Sequence, residues 1–215
     1  MLAKKLFWSL FSAFAVLALA VPAEAGVVYS VSVDTSLLTS GTTGNLNFQF
    51  NPGGGSQEAS ASLSNFTTDG TLTGVPSLTG DVSGTLPGTV TFGNSTAFND
   101  YFHGFTFGSS FSFLLTLYGP AIDAPNGTAT SGTTFGVAMF DDLGTTPLLT
   151  TDPFGFAGLA EINLNGSVGL ILYAPDTFNN PVVTFAEVPE PATGVVTGVS
   201  LLAAWFFRRR LGLSA

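Results

Sequence analysis

The sequence has no cysteine, and its five lysines and arginines are all confined to the two ends. Between Gly26 and Glu187 there are twelve acidic residues but no lysine, arginine or tryptophan. Without cysteine there is no disulfide, so this stretch must fold on a hydrophobic core alone. Without basic residues it has no means of binding nucleic-acid phosphates, and nucleic acid is excluded as a partner. Its acids must be solvated, hydrogen-bonded, or matched by metal ions or a partner.

The amino-terminal segment has the three parts of a secretory signal peptide. Two lysines precede a fifteen-residue apolar run over 6–20, and Ala23 and Ala25 supply the small residues before a cleavage site. We therefore predict a signal peptide over 1–25 that signal peptidase cuts after Ala25, which leaves Gly26 as the new terminus. The alternative is an uncleaved membrane anchor.

The carboxyl-terminal segment, 188–215, combines a Pro-Glu-Pro motif, sixteen uncharged and mostly apolar residues over 192–207, and an arginine cluster. The motif and the cluster are formed by Val188, Pro189, Glu190, Pro191, Arg208, Arg209 and Arg210. Sixteen helical residues span about 24 Å, against a hydrocarbon core of about 30 Å. Clustered arginines mark the cytoplasmic side. We therefore predict a short transmembrane helix in the inner membrane that stops at the arginines.

These three parts, in this order and over 28 of 215 residues, resemble the sorting signal of PEP-CTERM proteins. The resemblance implies a Gram-negative bacterium that makes exopolysaccharide. It also implies an exosortase as processing partner, which is a membrane transpeptidase or protease that carries its own cysteine nucleophile. By that analogy the tail is recognised at 188–191 and cut nearby, and the domain is released or joined to a surface component.

The stretch between the two ends alternates apolar and polar residues with a period of two, which is typical of half-buried β-strands. The alternation is clearest over 27–33, 46–50, 59–63, 111–117 and 135–139. Asn165 and Gly166 separate two further apolar runs and predict a β-hairpin with a type I′ turn. No window predicts a helix. We expect an all-β fold, a single antiparallel β-sandwich or jelly-roll-like domain over 26–187, flanked by the signal helix and the transmembrane helix.

The chemical inventory of this domain is poor for an enzyme. His103 is its only histidine, no Gly-x-Ser-x-Gly elbow is present, and a histidine at a strand edge or turn is the favoured interpretation. Asp141, Asp142, Asp152 and Glu161 offer carboxylates for glycan hydrolysis, but neighbouring strand residues point to opposite faces. We therefore predict no catalytic residue and no enzymatic activity.

Two kinds of ligand remain open. Structural calcium would find oxygen ligands near Asp123, Asn126 and the Asp141-Asp142 pair, although we predict no bound metal or other cofactor. Sugars would need exposed aromatic rings. The candidate platforms for sugar stacking are Tyr101, Phe102 and Tyr118.

Three functions follow from these observations. The favoured one is an exported, non-catalytic protein that is held transiently in the inner membrane and then reaches the cell surface or the extracellular matrix. The first alternative is a carbohydrate-binding module that engages exopolysaccharide. The second alternative is a secreted glycan hydrolase.

Overall fold

The structure of the protein is a computed structural model that describes residues 26–189. The predicted signal peptide over 1–25 and the predicted membrane-spanning run over 192–207 lie outside the described residues. Within 26–189, no helix has the length and apolar character needed to cross a membrane.

Twelve β-strands and one helical turn make up the described part of the chain. In chain order they are β1 (Val27–Asp34), β2 (Thr43–Pro52), β3 (Ser60–Thr68), β4 (Thr71–Thr79), β5 (Val82–Gly84), β6 (Val90–Gly93), β7 (Asp100–Thr106), β8 (Ser110–Tyr118), α1 (Pro120–Asp123), β9 (Thr133–Asp141), β10 (Phe156–Ile162), β11 (Val168–Leu172) and β12 (Val183–Glu187).

These strands form two six-stranded antiparallel sheets. The order is β12-β1-β8-β3-β6-β5 in the first, which we call the β1 sheet, and β11-β10-β9-β2-β7-β4 in the second, the β2 sheet. Neighbours such as β1 and β8, or β2 and β9, are far apart in the chain, as in a sandwich or jelly roll. The predicted all-β, antiparallel sandwich is thereby confirmed.

Strand β2 shows why the alternating sequence folds in this way. Leu46, Phe48 and Phe50 are fully buried between the sheets, while Asn45 and Gln49 lie on the opposite face and stay partly exposed. Successive strand residues point to opposite faces, so a period of two builds one apolar and one polar surface. The apolar surfaces of the two sheets form the core, which stabilises a domain that has no cysteine and therefore no disulfide.

The core is dominated by phenylalanine. The ring of Phe48 lies 5.3 Å from that of Phe113 in an edge-to-face pair, and 6.3 Å from the rings of Tyr101 and Phe135. Such aromatic pairs add about 0.5–1.5 kcal/mol to the free energy gained from burial alone. Phe48 therefore links β2, β7, β8 and β9 across the two sheets.

The β10–β11 hairpin is confirmed, but its predicted type I′ turn is wrong. That turn requires a positive φ at both central residues, and of Asn165 and Gly166 only the glycine has one, at 82°. Asn163 donates its N–H to the Ser167 carbonyl at 2.8 Å, and Gly166 donates to the Asn163 carbonyl at 2.9 Å. The loop is thus a three-residue type I turn with a glycine bulge, which leaves Leu164 exposed.

The two ends of the domain lie at the same end of the sandwich. Strand β12 runs antiparallel to β1, with Tyr29 opposite Glu187 and Val33 opposite Val183. We call the Tyr29–Glu187 side the terminal end and the Val33–Val183 side the distal end.

Replacing Phe48 with alanine is expected to lower the free energy of unfolding by about 3–5 kcal/mol, because it empties a site that is 0% exposed. Chemical denaturation followed by intrinsic fluorescence measures the loss. Phe154→Ala is the matched control, since this ring is 79% exposed and should cost less than about 0.5 kcal/mol. Equal losses in the two variants would contradict this assignment of the core.

Candidate functional site

The predicted sorting motif begins where the last strand ends. Glu187 is the final residue of β12, and the N–H of Val188 still donates to the Val28 carbonyl of β1 at 2.8 Å. Val188 and Pro189 are both exposed. Because the motif begins directly after β12, no linker separates it from the folded sheet. The other predicted signal residues lie outside the described part of the chain: Ala23, Ala25, Glu190, Pro191, Arg208, Arg209 and Arg210.

The predicted new amino terminus is adjacent to this exit. Gly26 is buried against β8, where a Cβ atom would lie 2.9 Å from the Leu117 carbonyl oxygen. Val28 and Tyr29 pair with the end of β12, and facing Cα atoms of antiparallel strands are about 5 Å apart. The chain therefore enters and leaves the sandwich on neighbouring strands of the β1 sheet.

Aspartates at the distal end bind backbone N–H groups of loops. Asp69 accepts hydrogen bonds from the backbone N–H groups of Ser109 at 2.9 Å and Ser110 at 3.0 Å, and from the Ser109 hydroxyl at 2.6 Å. The Ser109 side-chain bond is the largest cause that lowers the pKa of Asp69 to about 2, and the backbone bonds add to it. Hydrogen bonds from backbone and serine groups thus stabilise a carboxylate that has no cation nearby.

The residues considered for calcium serve turns in the same way. Asn126 Oδ1 accepts the N–H groups of Thr128 and Ala129 at 2.8 and 3.0 Å. Asp141 Oδ1 accepts two loop N–H groups at 2.9 and 3.1 Å, and these bonds hold the pKa of Asp141 below its usual value. Across residues 26–189, no group of three or more histidine, aspartate or glutamate side chains is placed to hold a metal ion.

The carboxylates considered for hydrolysis lie in different parts of the fold. Asp141 ends β9 at the distal end, whereas Glu161 of β10 pairs with Thr134 near the opposite end of β9. Seven strand residues correspond to about 24 Å. Asp152 lies in the β9–β10 loop and accepts the N–H of Phe156 at 3.0 Å. Asp141 and Glu161 therefore do not form a pair.

His103 lies in the middle of β7 and is 4% exposed, so the expectation of a strand-edge or turn position is wrong. Its Nδ1 lies 2.8 Å from Tyr101 Oη, which itself accepts the Leu86 N–H at 3.0 Å. Tyr101 Oη and His103 Nδ1 thus share a buried hydrogen bond whose direction follows the histidine tautomer. Burial lowers the pKa of His103, opposed by a hydrogen bond to the Gly74 backbone. This histidine is a neutral core group.

Of the three aromatic platforms considered for sugars, one is ruled out by its position. Tyr101 is 0% exposed and contributes only to the core. Phe102 lies on the outer face of the β2 sheet, partly exposed, with its ring centroid 6.3 Å from that of Phe140. Tyr118 is partly exposed at the end of β8.

A row of amide side chains lies on the outer face of the β2 sheet, where β2 supplies Asn45, Asn47, Gln49 and Asn51. We call this row, together with Asp100 of β7, the amide face. Gln49 Nε2 donates to Asn47 Oδ1 and Asn51 Nδ2 donates to Gln49 Oε1, both at 2.8 Å. Asn47 Nδ2 donates to Asp100 Oδ1. Four of these side chains thus form a connected network, namely Asn47, Gln49, Asn51 and Asp100. Asn45 Nδ2 instead donates to the Asp141 carbonyl at 2.7 Å.

Asp100 is the charged member of this network. Partial burial raises the pKa of its carboxyl group, and hydrogen bonds from Asn47 and Gln49 act in the opposite direction. Asn47 is only 2% exposed, whereas Asp100 and Gln49 are partly exposed. The buried Asn47 amide therefore anchors two side chains that reach solvent.

Comparison of the chain with protein-family models, with curated proteins and with solved structures finds no match. The described residues form an antiparallel β-sandwich. Its first and last strands lie in one sheet, and the amide face lies on the other. Its function must be inferred from its own residues.

Replacing Asp69 with asparagine is expected to flatten the acid-induced loss of stability. The pKa of Asp69 is about 2 in the folded protein and about 4 in unfolded chains. Its contribution is therefore present above about pH 4 and is lost as the pH falls through about 2. Thermal midpoints measured from pH 7 to pH 2 should fall less steeply in Asp69→Asn, from a lower starting value. An unchanged slope in Asp69→Asn would contradict the role assigned to these hydrogen bonds.

A second pH dependence comes from His103. Because its pKa is lowered on folding, the unfolded chain binds the proton first, and stability should fall as the pH drops below about 6.5. His103→Asn keeps an acceptor near Tyr101 but does not titrate. Denaturation at pH 7.5 and pH 5 should therefore show a larger loss in the wild type than in the variant. Identical losses would contradict a buried, neutral histidine.

Proposed function

We propose that this protein is an exported, non-catalytic component of the cell surface or extracellular matrix. Its signal peptide directs export, its carboxyl-terminal helix holds it transiently in the inner membrane, and an exosortase-type enzyme processes it at the 188–191 motif. The observation that carries this proposal is that the first and last strands of the domain bring Tyr29 and Glu187 side by side at the terminal end.

This geometry suits a domain attached to one membrane by both ends. The lysines before the apolar run over 6–20 and the arginines after 192–207 both belong on the cytoplasmic side, so 26–187 lies on the outer side. A strand of eight residues is about 27 Å long. If the two ends of the domain lay at opposite ends of the sandwich, one of them would need a linker of about that length to reach the bilayer. With Tyr29 opposite Glu187, no linker is needed.

Charge supports a temporary attachment. The terminal end carries Glu58, Asp123 and Glu187, and 26–187 has no lysine or arginine to bind anionic lipid headgroups. The domain is therefore held at the membrane by its terminal segments alone. Once signal peptidase and the tail-processing enzyme have acted, the domain has no lysine or arginine that would attract it to anionic lipid.

The strand pairing also limits where the tail is cut. The N–H of Val188 donates to the Val28 carbonyl in the β1 sheet, whereas Pro189 lies outside β12. A protease or transpeptidase binds an extended segment of free backbone. We therefore expect the scissile bond to lie beyond Pro189.

Changing Glu190 to alanine is expected to block processing of the tail. Intact-mass analysis of the protein from its native host, combined with membrane fractionation, should show a wild-type product that lacks residues 1–25 and the apolar tail. Glu190→Ala should keep the tail and remain in the inner membrane. Glu187→Ala, which changes the acid just before the motif, is the matched control and should be processed normally. A cytosolic wild-type product with both ends intact would overturn the proposal.

A further inference from the structure

The outer faces of the two sheets have different chemistry. On the β1 sheet, the outward positions of the central strands are mostly small hydroxyl residues, among them Ser30, Ser62, Ser64, Ser112 and Thr116. On the β2 sheet, the same kind of position carries the amide face. A sheet face needs only solvent-compatible side chains, which serine and threonine already supply. The amide face therefore calls for an explanation beyond solubility.

The amide face has hydrogen-bonding capacity that its own network does not use. A carboxylate has about four lone-pair sites, and Asp100 accepts from two side chains, Asn47 and Gln49. Gln49 Oε1 has two lone pairs and accepts one bond from Asn51. Asn51 Oδ1 accepts the Asn99 N–H at 2.7 Å, so the Asn51 amide keeps one lone pair and one N–H without a partner among residues 26–189. Unused acceptor sites of Asp100 and Gln49 thus lie beside an unused N–H of Asn51 on the outer face, next to the buried Asn47.

An apolar strip borders this polar row. Across the sheet, Asp100 pairs with Gln49, Gln49 with Gly136, and Gly136 with Leu159. A Cβ atom at Gly136 would lie 2.4 Å from the ring of Phe156, so this ring occupies the space above the glycine. Phe156 and Leu159 are both partly exposed. Polar acceptors and an apolar platform therefore lie next to each other on β2, β9 and β10.

The charge of this surface restricts the class of ligand that it can bind. Asp100 and Glu161 are acidic, and no lysine or arginine occurs between residues 26 and 189 to bind a phosphate, sulfate or uronate. A ligand that suits the surface must offer many hydroxyl groups and apolar patches without negative charge. Neutral sugar rings have this character, because their hydroxyl groups lie at the edge and their C–H groups form the faces.

We propose that the amide face binds a neutral polysaccharide. Gln49, Asn51 and Asp100 bind sugar hydroxyl groups, and Phe156 and Leu159 contact the apolar faces of the rings. Because the network is already fixed in the unliganded protein, little side-chain entropy is lost on binding. This inference goes beyond sorting by the tail and does not depend on it, since every residue involved belongs to the β2 sheet.

Affinity electrophoresis of the full chain in a mild detergent tests the proposal. Native gels would contain a soluble β-glucan, a galactomannan or starch, and a parallel gel would contain alginate, which is a polyuronate. We expect at least one neutral polymer to retard the protein and alginate to leave it unretarded. Absence of retardation by all three neutral polymers, or equal retardation by alginate, would overturn the proposal.

Variants locate the binding surface. Gln49→Ala and the isosteric Asp100→Asn should each weaken binding by about fivefold, the effect of one lost hydrogen bond. Ser62→Ala, in the middle of the outer face of the β1 sheet, is the matched control and should bind as the wild type does. Thermal midpoints separate loss of binding from loss of folding. Unchanged binding in both folded variants would place the ligand elsewhere, and a Gln49-dependent dimer without retardation would show that the face binds a second copy instead.

Discussion

The absence of any lysine or arginine between residues 26 and 187 constrains the whole domain. Its carboxylates are stabilised by backbone N–H groups instead, which are partial positive charges held rigidly by the loops. The Ser109 hydroxyl, followed by backbone N–H groups, lowers the pKa of Asp69, whereas backbone N–H groups are the largest cause of the lowered pKa of Asp141 and Asp176. The same constraint makes the surface purely acidic. It disfavours contact of the domain with anionic lipids and anionic polymers.

Periodicity in the sequence predicted the fold because both sheets bury one face. The inward residues of β2 were visible as Leu46, Phe48 and Phe50, and the structure confirms them. Local turn chemistry was less reliable. At Gly166, a Cβ atom would lie 2.8 Å from the Ile122 carbonyl oxygen of α1, so the hairpin loop packs against another element. That tertiary contact accompanies a turn that differs from the one Asn-Gly favours in isolation.

The candidate sites were only partly visible in the sequence, since pairing between distant strands assembles them. The alternate amides of β2 could be seen, but Asp100 comes from β7 and Phe156 from β10. The buried position of His103 could have been predicted, because it falls on the inward side of β7 together with Tyr101 and Phe105. The meeting of Tyr29 with Glu187 had no local signal, because it depends on which strand β12 joins.

The proposed processing of the tail and the proposed binding of a polysaccharide involve different sheets. The first and last described strands, β1 and β12, belong to the β1 sheet, whereas the amide face belongs to the β2 sheet. Because β12 ends at Glu187, a cut beyond Pro189 would leave the strands described over 26–189, and with them the amide face, intact. The amide face extends into the terminal half of the β2 sheet, where Asn51 pairs with Thr134. The proposed processing and the proposed binding nevertheless involve no common residue, because the sorting motif follows β12 and the amide face belongs to β2 and β7.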